Sequence, residues 1–325
     1  MAVYTHLGAE QLAQLIAAYD VGALVSAKGI AEGVSNSNWL IETAEAGGAS
    51  RRFILTLYEK RIDIAQLPFF LGLLDHLAQR GCAVPATVHD REGAAWREVA
   101  GKSAALIEFL PGVSPSRPTP AQTHAVGTAL ARVHLAARDF PLRRRDELDL
   151  AACTAMLERC GAARLAGIDP ALGDVIAIAR DTAARQPADL PQSIIHSDLF
   201  PDNVLMLGDK VTGLIDFYFA CNGAMAYDLA VAHAAWCFSS RGDRFDPALS
   251  TALLAGYDAV RPLSPAERAA LPALAERACL RFIASRAEDW LDTPADAQVM
   301  RKDPMDFLRR LRLYREAGEA AFAPA

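Results

Sequence analysis

The sequence has no excess of positive charge: 33 Lys and Arg stand against 39 Asp and Glu over 325 residues, a formal net charge of -6. Holding a nucleic-acid backbone takes many Lys and Arg contacts along one face, so no nucleic-acid partner is expected. Paired cysteines are missing too. The six, at 82, 153, 160, 221, 237 and 279, form neither a CxxC pair nor a His/Cys group at zinc spacing. Scattered thiols suit a reducing compartment, where they act as small buried hydrophobes. There is no long apolar run. The most apolar later stretch, Phe217 to Phe238, is interrupted by Asp228 and His233 and is too polar to span a bilayer. The opening MAVYTHLGAEQ lacks the basic-then-apolar order of a signal peptide. A cytoplasmic location without a membrane partner is the expectation.

What is present is a core-forming composition, 52% hydrophobic and 22% charged, over a length that suggests two domains. Strand-like runs Leu24–Gly29, Ser37–Thr43 and Phe53–Tyr58 alternate with turn residues, as in a β-meander. An amphipathic stretch from about Ile62 to Arg80 follows, with Gly81 as its C-cap, and then strand candidates Ala95–Val99 and Ser103–Phe109. The Pro-rich PGVSPSRPTP at 111–120 marks a boundary. Beyond it the spacing is helical from Thr119 to about Arg138, over Leu148–Cys160, and near 264–290 and 304–320. The exception is a strand–loop–strand–turn–strand island around 193–215. The expected architecture is α+β: a β-rich lobe over 1–110 and a larger helical lobe over 111–325.

The chemistry-bearing segment is His196-Ser197-Asp198-Leu199-Phe200-Pro201-Asp202-Asn203, followed by Leu214-Ile215-Asp216-Phe217. Read alone, it is open to being a polar loop with Asp and Asn as turn formers and Asp216 as a strand-end cap. As a whole it resembles the H-x-D-x-x-x-x-N catalytic loop and downstream metal-binding Asp of protein kinases and their aminoglycoside phosphotransferase relatives. That resemblance implies a protein-kinase-like two-lobe fold, with a small antiparallel sheet in the first lobe, and ATP and Mg2+ as cofactors. In its terms Asp198 accepts the proton of an acceptor hydroxyl, while Asn203 and Asp216 hold magnesium. His196 is then structural, and Asp202 a turn residue.

The same resemblance assigns the nucleotide-binding positions. Gly29 and Gly33, helped by Ser35 and Ser37, let backbone N–H groups approach phosphates, although a G-x-x-x-G turn alone is more often a plain hairpin. By topology Glu108 and Leu110, at the end of the last strand of the first lobe, are expected to offer backbone groups to adenine, with a solvated surface charge as the alternative for Glu108. One departure is clear: Thr56 stands where such kinases carry a basic residue on the third strand, and no pairing Glu follows. Lys60, on the same strand face by alternation, is the candidate replacement, with a solvated lysine as the alternative.

The N-terminal run MAVYTHLGAEQLAQLIAAYDVGALVSAKGIAEGVSNSNWLIET narrows the family, together with RRFILTLYEK, LPFFLGLLDHLAQRG, HSDLFPDNVL, GLIDFYFAC and LRFIASRAEDW. These segments resemble bacterial homoserine kinases of the aminoglycoside-phosphotransferase-like type, which implies homoserine as substrate and a place in threonine biosynthesis. A zwitterionic substrate needs a cation for its carboxylate. Arg281 and Arg286 are the candidates, five residues apart on one helix, so that only one of them faces the pocket, with a salt bridge to Glu276, Glu288 or Asp289 as the alternative for either. Asp228 either caps the helix that follows it or braces the catalytic loop. Other readings are a kinase acting on an aminoglycoside, choline or a sugar, or a nucleotide-binding regulator without catalysis.

Overall fold

A computed structural model of the chain describes residues 5, 7–30, 36–59, 63–293 and 301–324; Gly33, Ser35 and Lys60 lie outside the described residues. It divides into two compact units, Met1–Gly112 with Thr212–Tyr218, and Val113–Val211 with Phe219–Ala325. The sequence places all of 111–325 in one lobe, but the short run 212–218 is counted with the first unit.

In the first unit α1 (Ala9–Ala17) precedes three antiparallel strands, β1 (Ala23–Gly29), β2 (Ser37–Ala44) and β3 (Ser50–Leu57). Next come α2 (Leu67–Gln79), β4 (Thr87–Val88), β5 (Arg97–Val99) and β6 (Lys102–Glu108). The sheet order is β1-β2-β3-β6-β4, with β5 also on β6. Alternation sends Phe53, Leu55, Leu57, Ala104 and Leu106 to one face, where they pack with Leu12, Leu15 and Ile16 of α1. Ala105 and Ile107 point the other way, against Leu67 and Leu71 of α2. The middle of β6 is therefore buried on both faces, which is why its residues 104–107 read as a continuous apolar run. The helix expected from Ile62 begins only at Leu67, after a short turn capped by Asp63. Gly81 ends it with φ 72°, and its N–H bonds the Ala78 carbonyl.

The second unit holds α3 (Pro120–Ala136), α4 (Leu150–Cys160), α5 (Ala162–Ile168) and α6 (Val175–Ala184). The sequence island then forms β7 (Gln192–Ile195), β8 (Val204–Leu207) and β9 (Lys210–Leu214), of which residues 212–214 are counted with the first unit, and β10 (Cys221–Ala224) pairs antiparallel with β7. After it come α7 (Met225–Trp236), α8 (Pro247–Asp258), α9 (Pro265–Asp292) and α10 (Met305–Ala317). Thr119 and Gln122 close a capping box on α3, and Ser264 with Glu267 does the same on α9. Helices α3 and α8 touch backbone to backbone at two glycines: a Cβ on Gly127 would lie 2.2 Å from the Leu253 carbonyl oxygen, and one on Gly256 2.0 Å from that of His124. Every residue of α7 is buried. That helix is the hub of the unit, and it carries the residue that anchors the catalytic loop. Among the described residues no helix is long and apolar enough to cross a membrane.

Candidate active site

Strand β7 delivers the chain into residues 196–200, and a single turn over Pro201–Asn203 returns it to β8. Ser197 has φ 67°, a left-handed conformation that costs a non-glycine residue on the order of 1–3 kcal/mol and persists only where surroundings enforce it. The enforcing groups are visible. The Asp228 carboxylate accepts from the backbone N–H of His196 at 2.7 Å and of Ser197 at 2.6 Å. Trp236 Nε1 donates to the Leu199 carbonyl at 2.9 Å. Arg281 Nη1 donates to the Ser197 carbonyl and, at 3.1 Å, to its hydroxyl. His196 is buried and its Nδ1 accepts from the Asp198 N–H at 3.2 Å, a loop-bracing part.

Asp198 is left with its side chain half-buried. Asn203 Nδ2 donates to the Asp198 carbonyl at 2.8 Å and reaches Oδ2 at 3.4 Å, while Arg281 Nη2 stands 3.9 Å from Oδ1. Burial pushes the Asp198 carboxyl above the ordinary carboxylate range, and the charges of Arg281, His196 and Lys302 partly offset it. Asp228 lies deeper still. Burial alone would push its carboxyl up, but hydrogen bonds from His134 and the His196 backbone, with the attraction of both imidazoles, hold it below the ordinary value. His134 Nε2 is 2.9 Å from Asp228 Oδ2 and its Nδ1 2.8 Å from the Tyr257 hydroxyl, so α3, α7 and α8 meet behind the loop. Asp228 is thus the brace and not a helix cap.

In the first unit Asp216 has φ 65°, the same left-handed conformation as Ser197, directly after β9. Two residues on, Tyr218 docks edge-on against Tyr58 and Phe70, with centroids 5.8 and 5.6 Å away, and its hydroxyl donates to that of Tyr58 at 3.3 Å. That aromatic anchor went unnoticed in the sequence. Gly29 ends β1, and Ser37 is fully buried with its hydroxyl donated to Glu59 at 2.9 Å. Ser37 is therefore a support for the end of β2, not a group facing a phosphate. Glu59 also pairs with Lys102 at 2.9 Å, an ion pair that the sequence reading missed. Thr56 is buried and donates to Asn38 Oδ1 at 2.9 Å. The Glu108 N–H is taken by the Ala86 carbonyl at 2.9 Å, so only its carbonyl remains for an adenine; Leu110 follows outside any strand.

The two arginines proposed for a substrate carboxylate are both committed. Arg281 is buried and its Nη1 is spent on the Ser197 carbonyl and hydroxyl, which makes it a support of the loop. Arg286 Nη1 donates to Asp306 at 3.0 Å and to the Asp303 carbonyl at 2.9 Å, an acidic partner on the next helix that helix spacing could not indicate.

The family model of the phosphotransferase enzyme family matches residues 26–263. A homoserine kinase of Azorhizobium caulinodans is 48% identical over 323 residues, covering 98% of each chain. A homoserine kinase of Phenylobacterium zucineum is 50% identical over 318 residues, 97% of this chain and 96% of the relative. Among solved structures, a spectinomycin phosphotransferase in complex with ADP and spectinomycin superposes with a TM-score of 0.68 at 15% identity, over 98% of this chain and 99% of its own.

Proposed function

We infer function from one premise, that the chain belongs to the phosphotransferase enzyme family and has its protein-kinase-like fold. It is a kinase that transfers the γ-phosphoryl group of ATP to the hydroxyl of L-homoserine. The observation carrying the substrate is the end-to-end likeness to homoserine kinases at about half identity.

In the proposed mechanism Asp198 is the general base. A carboxyl raised by burial is a better proton acceptor than an exposed one, and the Arg281 guanidinium partly offsets that rise. Asn203 and Asp216 are the magnesium ligands. Asn203 fits this role, because its Nδ2 is spent on Asp198 and its amide oxygen receives no donor among the described residues. Among the same residues no group of three or more His, Cys, Asp or Glu could hold a metal unaided, so nucleotide oxygens would complete the shell. Magnesium when bound neutralises charge on the β- and γ-phosphates. The chain's contribution is placement, with Asp198 aimed by Asn203 and the loop locked by Asp228. The Gly29 region and the Leu110 amide are proposed to meet phosphates and adenine.

Two measurements test this. Asp216→Ala should raise the magnesium concentration needed for half-maximal rate and lower turnover; parent-like magnesium dependence would remove Asp216 from the metal site. The second concerns pH. Asp198 works as a carboxylate, so kcat/KM falls as pH drops through its pKa. Arg281→Met, which deletes the attraction that lowers that pKa, should move the acid limb of the profile to higher pH, while Arg281→Lys should leave it near the parent's. If both variants keep the parent's limb, Arg281 does not tune the base.

A further inference from the structure

Behind the catalytic loop lies a run of polar side chains that the proposed mechanism leaves unused. His134, Tyr257, Arg261 and Glu267 are all buried, and each is joined to the next. The run starts at Asp228, whose Oδ1 accepts the Ser197 N–H and whose Oδ2 accepts the His196 N–H together with His134 Nε2. Beyond His134, Arg261 Nη1 reaches the Tyr257 hydroxyl oxygen at 3.4 Å, and its Nη2 donates to Glu267 Oε1 at 2.7 Å. The other Glu267 oxygen accepts the Ser264 N–H at 3.0 Å, inside the capping box of α9. The catalytic loop is thereby connected to the start of α9 through buried side chains.

Hydrogen-bond accounting gives the run a direction. Asp228, an ionised carboxylate, only accepts, so His134 Nε2 carries the hydrogen between them. The Tyr257 oxygen receives Arg261, and its own proton goes to His134 Nδ1 at 2.8 Å. Each donor thus points toward Asp228. His134 is held through its backbone as well, because its carbonyl accepts from Ser193 Oγ at 2.7 Å, on the strand β7 that leads into the loop. The torsion that turns an Asp carboxylate is broad, and two N–H groups from consecutive residues leave it room to rotate. A third donor, brought from α3 at 2.9 Å, stops that rotation.

We propose that His134 is a positioning residue for phosphoryl transfer: with its ring held by Tyr257, it fixes the rotation of the Asp228 carboxylate and, through residues 196 and 197, the aim of Asp198. The assignment rests on the phosphoryl-transfer reading above and goes beyond it by placing part of the turnover in side chains that do not contact Asp198.

The test is steady-state kinetics with ATP and L-homoserine at a temperature where each variant is folded by circular dichroism. His134→Leu removes the third donor and should lower kcat by about 10- to 100-fold, the scale of a small misplacement of a catalytic group, with both KM values close to the parent's. His134→Gln, whose amide nitrogen can take the place of Nε2, should recover most of that loss. Tyr257→Phe frees the ring to turn a lone pair on Asp228 and should cost about 3- to 10-fold in kcat, the range of one neutral hydrogen bond. A role exerted through Asp228 also predicts that His134→Leu adds less than about 3-fold to the loss already caused by Asp228→Asn. A full second loss in that double variant, or a parent-like kcat in His134→Leu, overturns the assignment while leaving the reaction standing. Should His134→Leu fail to fold, a parent-like kcat in Tyr257→Phe overturns it. A folded parent protein that moves no phosphoryl group from ATP to homoserine removes the reaction and the assignment with it.

Discussion

Asp198→Asn is expected to lower kcat by about 10²- to 10⁴-fold, the range removed with a positioned general base, while KM for ATP stays close to the parent value. The reason lies in how the loop is built. Asn203 and Arg281 bond mainly the carbonyls and hydroxyl of residues 197 and 198, so the backbone keeps its shape when one side-chain oxygen becomes an amide. What disappears is the acceptor for the hydroxyl proton. Pre-steady-state mixing separates the cases: slowed phosphoryl transfer with intact ATP binding supports the base, and an unchanged transfer rate excludes it. Arg281 and the other cations near Asp198 remain in the variant, so a loss of this size cannot be assigned to charge placement alone.

Asp228→Ala should produce the largest loss of stability. The carboxylate is fully buried and holds the N–H groups of His196 and Ser197 as well as His134. Deleting it strands three buried donors and releases the strained Ser197. Breaking a buried, hydrogen-bonded charge network costs about 3–5 kcal/mol. On the usual unfolding-entropy scale for a chain of this length that lowers Tm by roughly 4–7 °C. Turnover should fall with it. Asp228→Asn keeps one acceptor oxygen and should lose less in both measurements. The pH dependence has a definite sign: a carboxyl held below its ordinary value contributes stability that is fully present above about pH 4 and is lost as pH falls through the lower, folded-state value. A variant as stable and as active as the parent would mean that the loop is anchored elsewhere.

Local signals in the sequence reached some of this structure and stopped at long-range partners. The run Val204–Leu207 is a strand because it lies between the Pro-Asp-Asn turn and Gly208-Asp209, and both punctuation marks are legible. Thr119 is legible as a cap because capping is a contact over three residues. Helix α7 gives no such signal: it is buried all round, so the 3.6-residue alternation that identifies a surface helix is absent. Asp198, Asn203 and Asp216 stood out through fixed spacing within one segment. The brace from Asp228 spans 31 residues, the support from Arg281 84, and the Arg286–Asp306 pair crosses from one helix to the next. Periodicity is silent on such partners. Ser37 misled for a related reason: its place beside a glycine turn suggested a ligand, whereas its hydroxyl is satisfied by Glu59, which lies 22 residues on.

The central claim is that the phosphoryl group of ATP ends on the γ-oxygen of homoserine. Phosphorus NMR of the protein with Mg-ATP and L-homoserine tests it most directly. The predicted result is loss of the ATP γ-resonance and growth of a phosphate-monoester signal split into a triplet by the two adjacent methylene protons, appearing in step with ADP. Release of inorganic phosphate alone, or a product signal without that coupling, would contradict it.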